Sequence, residues 1–287
     1  MIFISPECFP CFLRQADLAA RAHGASEAQR NGLAARISAM LSDLPPNGVP
    51  AEIATRLQAI VREELDTPDP FLAVKRRELD RFSETSRRAE EIVAASPDPL
   101  AAAVKVAVFG NIMDSGIIER DCIEKEFDGF AGPAGVAEVP QGLLERIRGA
   151  KRIGVLLDNA GEAAFDVPLL ARLGADGRKL WIGAKGGPVI DDLTAEEARR
   201  IGLSMYGEIV SNGNQGVGTI LDLCTPEFRD RIDSSDLILS KGQANFETLT
   251  GRAQNAVFLL RCKCPVVSRA LGKPEGDIVI LDGAATA

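Results

Sequence analysis

Up to about residue 150 the apolar residues recur at helical spacing. Segments 11–25, 27–41, 51–65 and 71–95 read as amphipathic helices, and 100–109, almost all Ala, Val and Leu, reads as a buried one. Pro-rich breaks separate them at 44–50, 67–70 and 96–99. From Arg152 the pattern changes. Short apolar runs at 153–157, 179–182, 208–210, 237–239, 257–260 and 278–281 read as strands, most of them separated by enough chain for a crossover helix. The pattern predicts an α/β fold: a Rossmann-like, mostly parallel, three-layer sheet (151–287) preceded by a helical N-terminal domain (1–150).

Polar motifs follow four of these strands. Asp158 and Asn159 end the first, and Lys185 to Asp191 and Asp192 follow the second. The Gly-rich stretch from Ser211 through Gly213 to Thr219 follows the third, and Ser240-Lys241-Gly242 with Asn245 and Glu247 follows the fourth. Parallel strands line such tips along one edge, where open α/β sheets bind ligands. A carboxylate beside a carboxamide suits a hard divalent cation, although Asp and Asn also cap helices. Asp158, Asn159 and Asp192 could hold such a cation, with Asp191 the rival for the third place. The glycine loop could offer backbone N–H groups to a phosphate, and Lys241 a point charge. The loop is neither a dinucleotide fingerprint nor a Walker A sequence.

Composition narrows the classes. The 287 residues carry a formal net charge of −8, which argues against nonspecific binding to nucleic acid or anionic membrane. No apolar run is long enough to span a bilayer. The first residues lack the basic start and apolar core of an export signal, so a reducing cytoplasm is the expected setting for six cysteines. The single histidine, His23, sits in an Arg/Ala-rich helical stretch and is expected at the surface, so the chemistry falls to carboxylates, amides, lysine and metal. Cys8 and Cys11 form a C-x-x-C at a helix start. Structural thiols are the first reading and metal or redox use, with Cys262 and Cys264, the second. Cys122 and Cys224 follow no pattern and are expected to be buried thiols.

Taken in order, the motifs around Glu7, Cys8 and Cys11, Gly110-Asn111 to Asp114, Asp158 to Glu162, Lys185 to Thr194, Ser240 to Glu247, and Lys263-Cys264-Pro265 span essentially the whole chain. They resemble the DUF89 damage-control phosphatase family, most closely its prokaryotic branch with the N-terminal cysteine pair. The resemblance implies a divalent-metal phosphatase (Mg, Mn, Co or Ni) acting on small phosphorylated metabolites such as sugar phosphates. It places the metal on Asp158, Asn159 and Asp192, the family lysine on Lys241, and Asn111 and Glu162 near the ligand edge. The expected catalytic set is Asp158, Lys241, Asn111 and Glu162. Gly213, Lys241, Gly242 and Asn245 are expected to bind phosphate. The alternatives are an S-adenosylmethionine-dependent carboxyl methyltransferase on the same sheet, or a noncatalytic metal- or thiol-binding module centred on Cys8, Cys11 and Cys264.

Overall fold

The computed structural model describes residues 2–45, 47–111, 138–175 and 177–283. Six helices come first: α1 (Cys8–His23), α2 (Glu27–Leu41), α3 (Pro50–Glu64), α4 (Leu72–Leu79), α5 (Phe82–Ala94) and α6 (Pro99–Gly110). Their ends carry the expected chemistry. Gly24 closes α1 in the left-handed conformation, Ser26 and Gln29 form a capping box on α2, and Asp98 caps α6 ahead of Pro99. His23 is exposed in the last turn of α1.

The helix expected over 71–95 is two helices. α4 turns Lys75 into a buried ion cluster, whereas α5 sends Ala89 and Val93 into the apolar core. One straight helix cannot serve both contacts, and the chain bends at Asp80 and Arg81.

The second half is α7 (Gln141–Gly149), β1 (Arg152–Leu156), α8 (Ala163–Leu173), β2 (Lys179–Ala184), α9 (Ala195–Arg200), β3 (Glu208–Ser211), α10 (Pro226–Ser234), β4 (Leu237–Lys241), α11 (Gln243–Leu249), β5 (Ala256–Arg261), α12 (Pro265–Leu271) and β6 (Ile278–Asp282). All six expected strands join one sheet of order β3-β2-β1-β4-β5-β6. The first five are parallel, and β6 runs antiparallel on the β5 edge.

Strand alternation splits the core in two. Ile153, Val155, Ile182, Leu239 and Leu259 face one side, against α5, α6 and α8. Leu156, Trp181, Ile238 and Phe258 face the other, with α1–α3, α10 and α12. Both cores run across residue 150: that position marks a change of secondary structure, while the packing is continuous through it. The chain leaves β1 toward β2 and β3, then crosses back to β4 on the other side of β1. This reversal opens a crevice between the C-terminal tips of β1 and β4, the usual ligand position in such sheets. Among the described residues no helix is long and apolar enough to cross a membrane.

Candidate functional site

Asp158 and Asn159 leave β1 at that crevice, and Gly242 leaves β4 beside them. A Cβ on Gly242 would stand 1.9 Å from Asp158 Oδ2, and its φ of +81° favours glycine as well. Position 242 lets the backbone approach the carboxylate. Asp192 is brought in by a short bridge between Asn159 and Asp192, with Leu193 N–H donating to Asp158 O at 2.9 Å. Ile190, two residues earlier, holds φ at +47°, a strained value for a β-branched residue. Asp158, Asn159, Asp191 and Asp192 all line one cavity of about 300 Å³. The cavity is lined on its other sides by α1, α3, α11 and the start of α12.

A buried polar network fixes these groups from behind. α6, buried in its C-terminal half, delivers Asn111 with no exposed surface. Asn111 Nδ2 donates to Asp158 Oδ2 at 3.0 Å and to Glu162 Oε1 at 2.8 Å, and its Oδ1 accepts from Arg261 N–H at 2.9 Å. Asn159 Nδ2 donates to the same Glu162 Oε1 at 3.1 Å. Lys241 Nζ then bridges Glu162 Oε2 at 2.8 Å and Asp166 Oδ1 at 2.7 Å.

Charge follows this layout. Burial raises the Asp158 carboxyl well above its usual range, and Glu162 and Asp192 add to the rise. Burial also raises Asp192, against the opposing charge of Lys185. Asp166 is pushed by burial up to about 6. For Lys241, burial works against the ammonium, but Asp166 and Glu162 outweigh it and keep the group charged. The open wall is therefore acid-rich, with Lys185 and Lys263 as the positive charges beside it. Its donor set, carboxylate–carboxamide–carboxylate, suits a hard divalent cation. Among the described residues no three His, Cys, Asp or Glu side chains are arranged to hold a metal, so a cation here depends on the carboxamide of Asn159 as well.

The expected residues separate into two groups. Asp158, Asn159 and Asp192 reach the cavity together. Asn111, Glu162 and Lys241 stand behind that wall as its supports and are not among the cavity-lining residues. Lys241 is committed to two carboxylates, which leaves it a structural counter-ion in this arrangement rather than a charge facing a ligand. Asn245 is also fully used. It accepts from Thr219 Oγ1 at 2.7 Å and donates to Lys241 O at 2.7 Å, tying the β4 tip to the glycine loop.

Gly213 is not brought to the cavity. Several of the loop's N–H groups are already engaged: Gly213 donates to Ser211 Oγ, Asn214 to Asn212 Oδ1 and Gly216 to Asn214 Oδ1 within the loop, and Val217 to Thr55 Oγ1 on α3. The loop instead presents carbonyls. Gly216 O, at 2.8 Å, and Gly218 O accept from Lys185 Nζ, which also pairs with Asp192 Oδ2 at 3.2 Å.

Sequence reasoning assigns no role to several side chains that matter here, although Lys185 and Lys263 fall within its motifs. Lys185 steadies Asp192, Asp166 completes the Lys241 pair, and Lys263 lines the cavity with its charge reaching Asp158. Lys75 pairs with Asp69 at 2.8 Å and Glu197 at 2.9 Å, fastening α4 to the helix that follows the Asp192 loop. Asp166 carries one local signal, as the i+4 neighbour of Glu162 on one helical face. Lys75 has no such signal. The three cavity thiols Cys8, Cys11 and Cys264 are all held toward the neutral form by burial, and Cys224 is buried as expected. Asp114 and Cys122 lie outside the described residues.

Known proteins share this sequence pattern and fold. A family model described as the damage-control phosphatase ARMT1-like domain matches residues 4–279. A damage-control phosphatase of Archaeoglobus fulgidus is 35% identical over 237 residues, 80% of this chain and 81% of that one. A damage-control phosphatase of Pyrococcus horikoshii is 28% identical over 96% of both chains. The crystal structure of a DUF89 family protein from Pyrococcus horikoshii superposes with a TM-score of 0.85 at 27% identity, covering 99% of this chain and all of that one.

Proposed function

The chain belongs to the damage-control phosphatase ARMT1-like family, and from that membership we propose that it is a divalent-metal-dependent phosphatase of small phosphorylated metabolites. The observation that carries the reading is the meeting of Asp158, Asn159 and Asp192 on one wall of a cavity at the sheet's reversal point. When bound there, a divalent cation supplies charge to a phosphoryl oxygen and acidifies a water.

The chain's own residues supply the rest. Asn111 and Glu162 fix the Asp158 and Asn159 side chains, so the wall is set before any ligand arrives. Lys185 holds Asp192 in the same way. Lys263 lines the cavity and brings positive charge toward Asp158, where it could offset the charge of a phosphate. The cavity, about 300 Å³, is at the small end of ligand pockets, which suits a compact metabolite rather than a polymer.

The test is hydrolysis of p-nitrophenyl phosphate and a panel of sugar phosphates by chelated enzyme, with Mg²⁺, Mn²⁺, Co²⁺ or Ni²⁺ added back. Phosphate release that appears only with metal supports the reading. Its absence with every metal and every ester removes it and turns attention to methyl transfer.

A further inference from the structure

The helical side of the cavity contains polar groups that the reading above does not use. Gln58, on α3, lines the cavity and is 1% exposed, yet its Nε2 has no hydrogen-bond partner. Gln15, on α1, lines the same cavity. Its Nε2 donates to Cys11 Sγ at 3.4 Å, while its Oε1 is buried with no partner. One of these is an unmet donor and the other an unmet acceptor. Each costs about 1–3 kcal/mol if nothing satisfies it.

Glu247, on α11, completes this side. Gln243 orients it: Gln243 Nε2 donates to Glu247 Oε1 at 3.0 Å, and Gln243 Oε1 accepts from Lys263 N–H at 3.0 Å. Burial pushes the Glu247 carboxyl up to about 7, so near neutrality much of it keeps a proton to donate.

We propose that Gln15, Gln58 and Glu247 form a subsite that reads the uncharged, hydroxyl-bearing body of the substrate, while the Asp158 wall takes its phosphate. This rests on the phosphatase reading and deepens it. The choice of body follows from the donor and acceptor inventory. A hydroxyl can accept from an amide N–H and can donate to an amide oxygen, so hydroxyl groups suit both kinds of unmet group. A second phosphate or a carboxylate can only accept, and an ammonium can only donate. A plain alkyl chain meets neither.

The experiment compares hexitol 6-phosphate with n-hexyl phosphate, matched in chain length and differing in hydroxyls, on the metal-loaded enzyme. The wild type is expected to favour the hexitol ester at least tenfold in kcat/KM. Gln58→Leu is expected to lower kcat/KM for the hexitol ester at least tenfold more than for the hexyl ester. The same variant is expected to melt no lower than the wild type without ligand, because leucine removes a buried unmet donor. Gln15→Leu should shift selectivity in the same direction, which guards against a folding defect in one variant.

A selectivity unchanged in both variants, or equal use of the two esters by the wild type, overturns the subsite with the phosphatase intact. A Gln58→Leu protein that melts lower and loses both esters equally also overturns it, since Gln58 would then be structural. Hydrolysis of neither ester, nor of p-nitrophenyl phosphate, brings down the phosphatase reading and this inference together.

Discussion

The two ends of the cavity are built on opposite terms. At the sheet end Asn111, Asn159 and Glu162 are tied into one network, and Lys185 and Lys241 are held by carboxylates. At the helical end Gln15 and Gln58 each bury an unpartnered atom, and Glu247 sits half-charged near neutrality. The first end is rigid ahead of its ligand and acid-rich, the arrangement that a cation completes. The second leaves hydrogen bonds open, the arrangement that a polar molecule completes. A network in which every member is satisfied specifies one geometry, whereas unmet groups cost stability until something meets them. The contrast separates a site for a fixed ion from a site for an exchangeable substrate.

Breaking the sheet end should have the largest effect. Asp158→Ala is expected to lower both turnover and metal affinity by more than about 100-fold, beyond the loss typical of a residue acting through a ligand. Kinetics and calorimetry on the same preparation check this, and near-wild-type turnover removes Asp158 from the site. Lys241→Met should cost about 3–5 kcal/mol of folding stability, because it leaves Glu162 and Asp166 buried without their counter-ion. Denaturant unfolding reads that loss. A variant as stable as the wild type would show that Lys241 is not the structural keystone described here. Asn111→Ala acts one step back from the ligands and should cost about 10–100-fold in metal affinity or activity. Equal metal affinity and equal turnover would show that the orientation of Asp158 does not depend on α6.

The helical end sharpens the contrast through pH. The Glu247 carboxyl is raised from 4.5 to about 7 in the folded protein, chiefly by burial among Cys8, Cys11, Cys264 and Gln243. The folded state therefore holds this proton more tightly than the unfolded chain. Its stabilising contribution is complete below about pH 4.5 and is lost as the pH rises through about 7. Glu247→Gln lacks the ionisation. Its stability relative to wild type should improve between pH 5 and pH 8, by at most about 3 kcal/mol. A difference between the two that stays constant with pH would show that Glu247 is not held neutral in the cavity.

Much of the architecture is legible along the chain, for identifiable reasons. Strands buried on both faces give apolar runs, and their tips must turn polar at the ligand edge. That is why Asp158-Asn159 and Ser240-Lys241-Gly242 stand out in the sequence. Gly242 is the clearest case, since its close approach to Asp158 is the kind of contact that excludes a side chain. What is not legible depends on partners far apart in sequence. Lys241 meets Glu162 across 79 positions, so a lysine that reads as a ligand for phosphate at a strand tip gives no sign of the ion pair it makes within the fold. The glycines at 213, 216 and 218 mark tight turns correctly but carry no information about which way the N–H groups point. The N–H groups of Gly213 and Gly216 point into the loop, and the carbonyls of Gly216 and Gly218 point at Lys185. The break between α4 and α5 is hidden for a similar reason: Lys75 is drawn to Glu197, more than a hundred residues away. Gln15 and Gln58 look like ordinary polar positions on amphipathic helices until the cavity they share is seen.

The most direct test titrates Mn²⁺ into chelated enzyme and follows bound metal and phosphate release in the same samples, for the wild type and for Asp158→Ala. The account predicts two curves that rise together in the wild type and stay flat in the variant. Phosphate release that precedes metal binding, or that persists in Asp158→Ala, would contradict it.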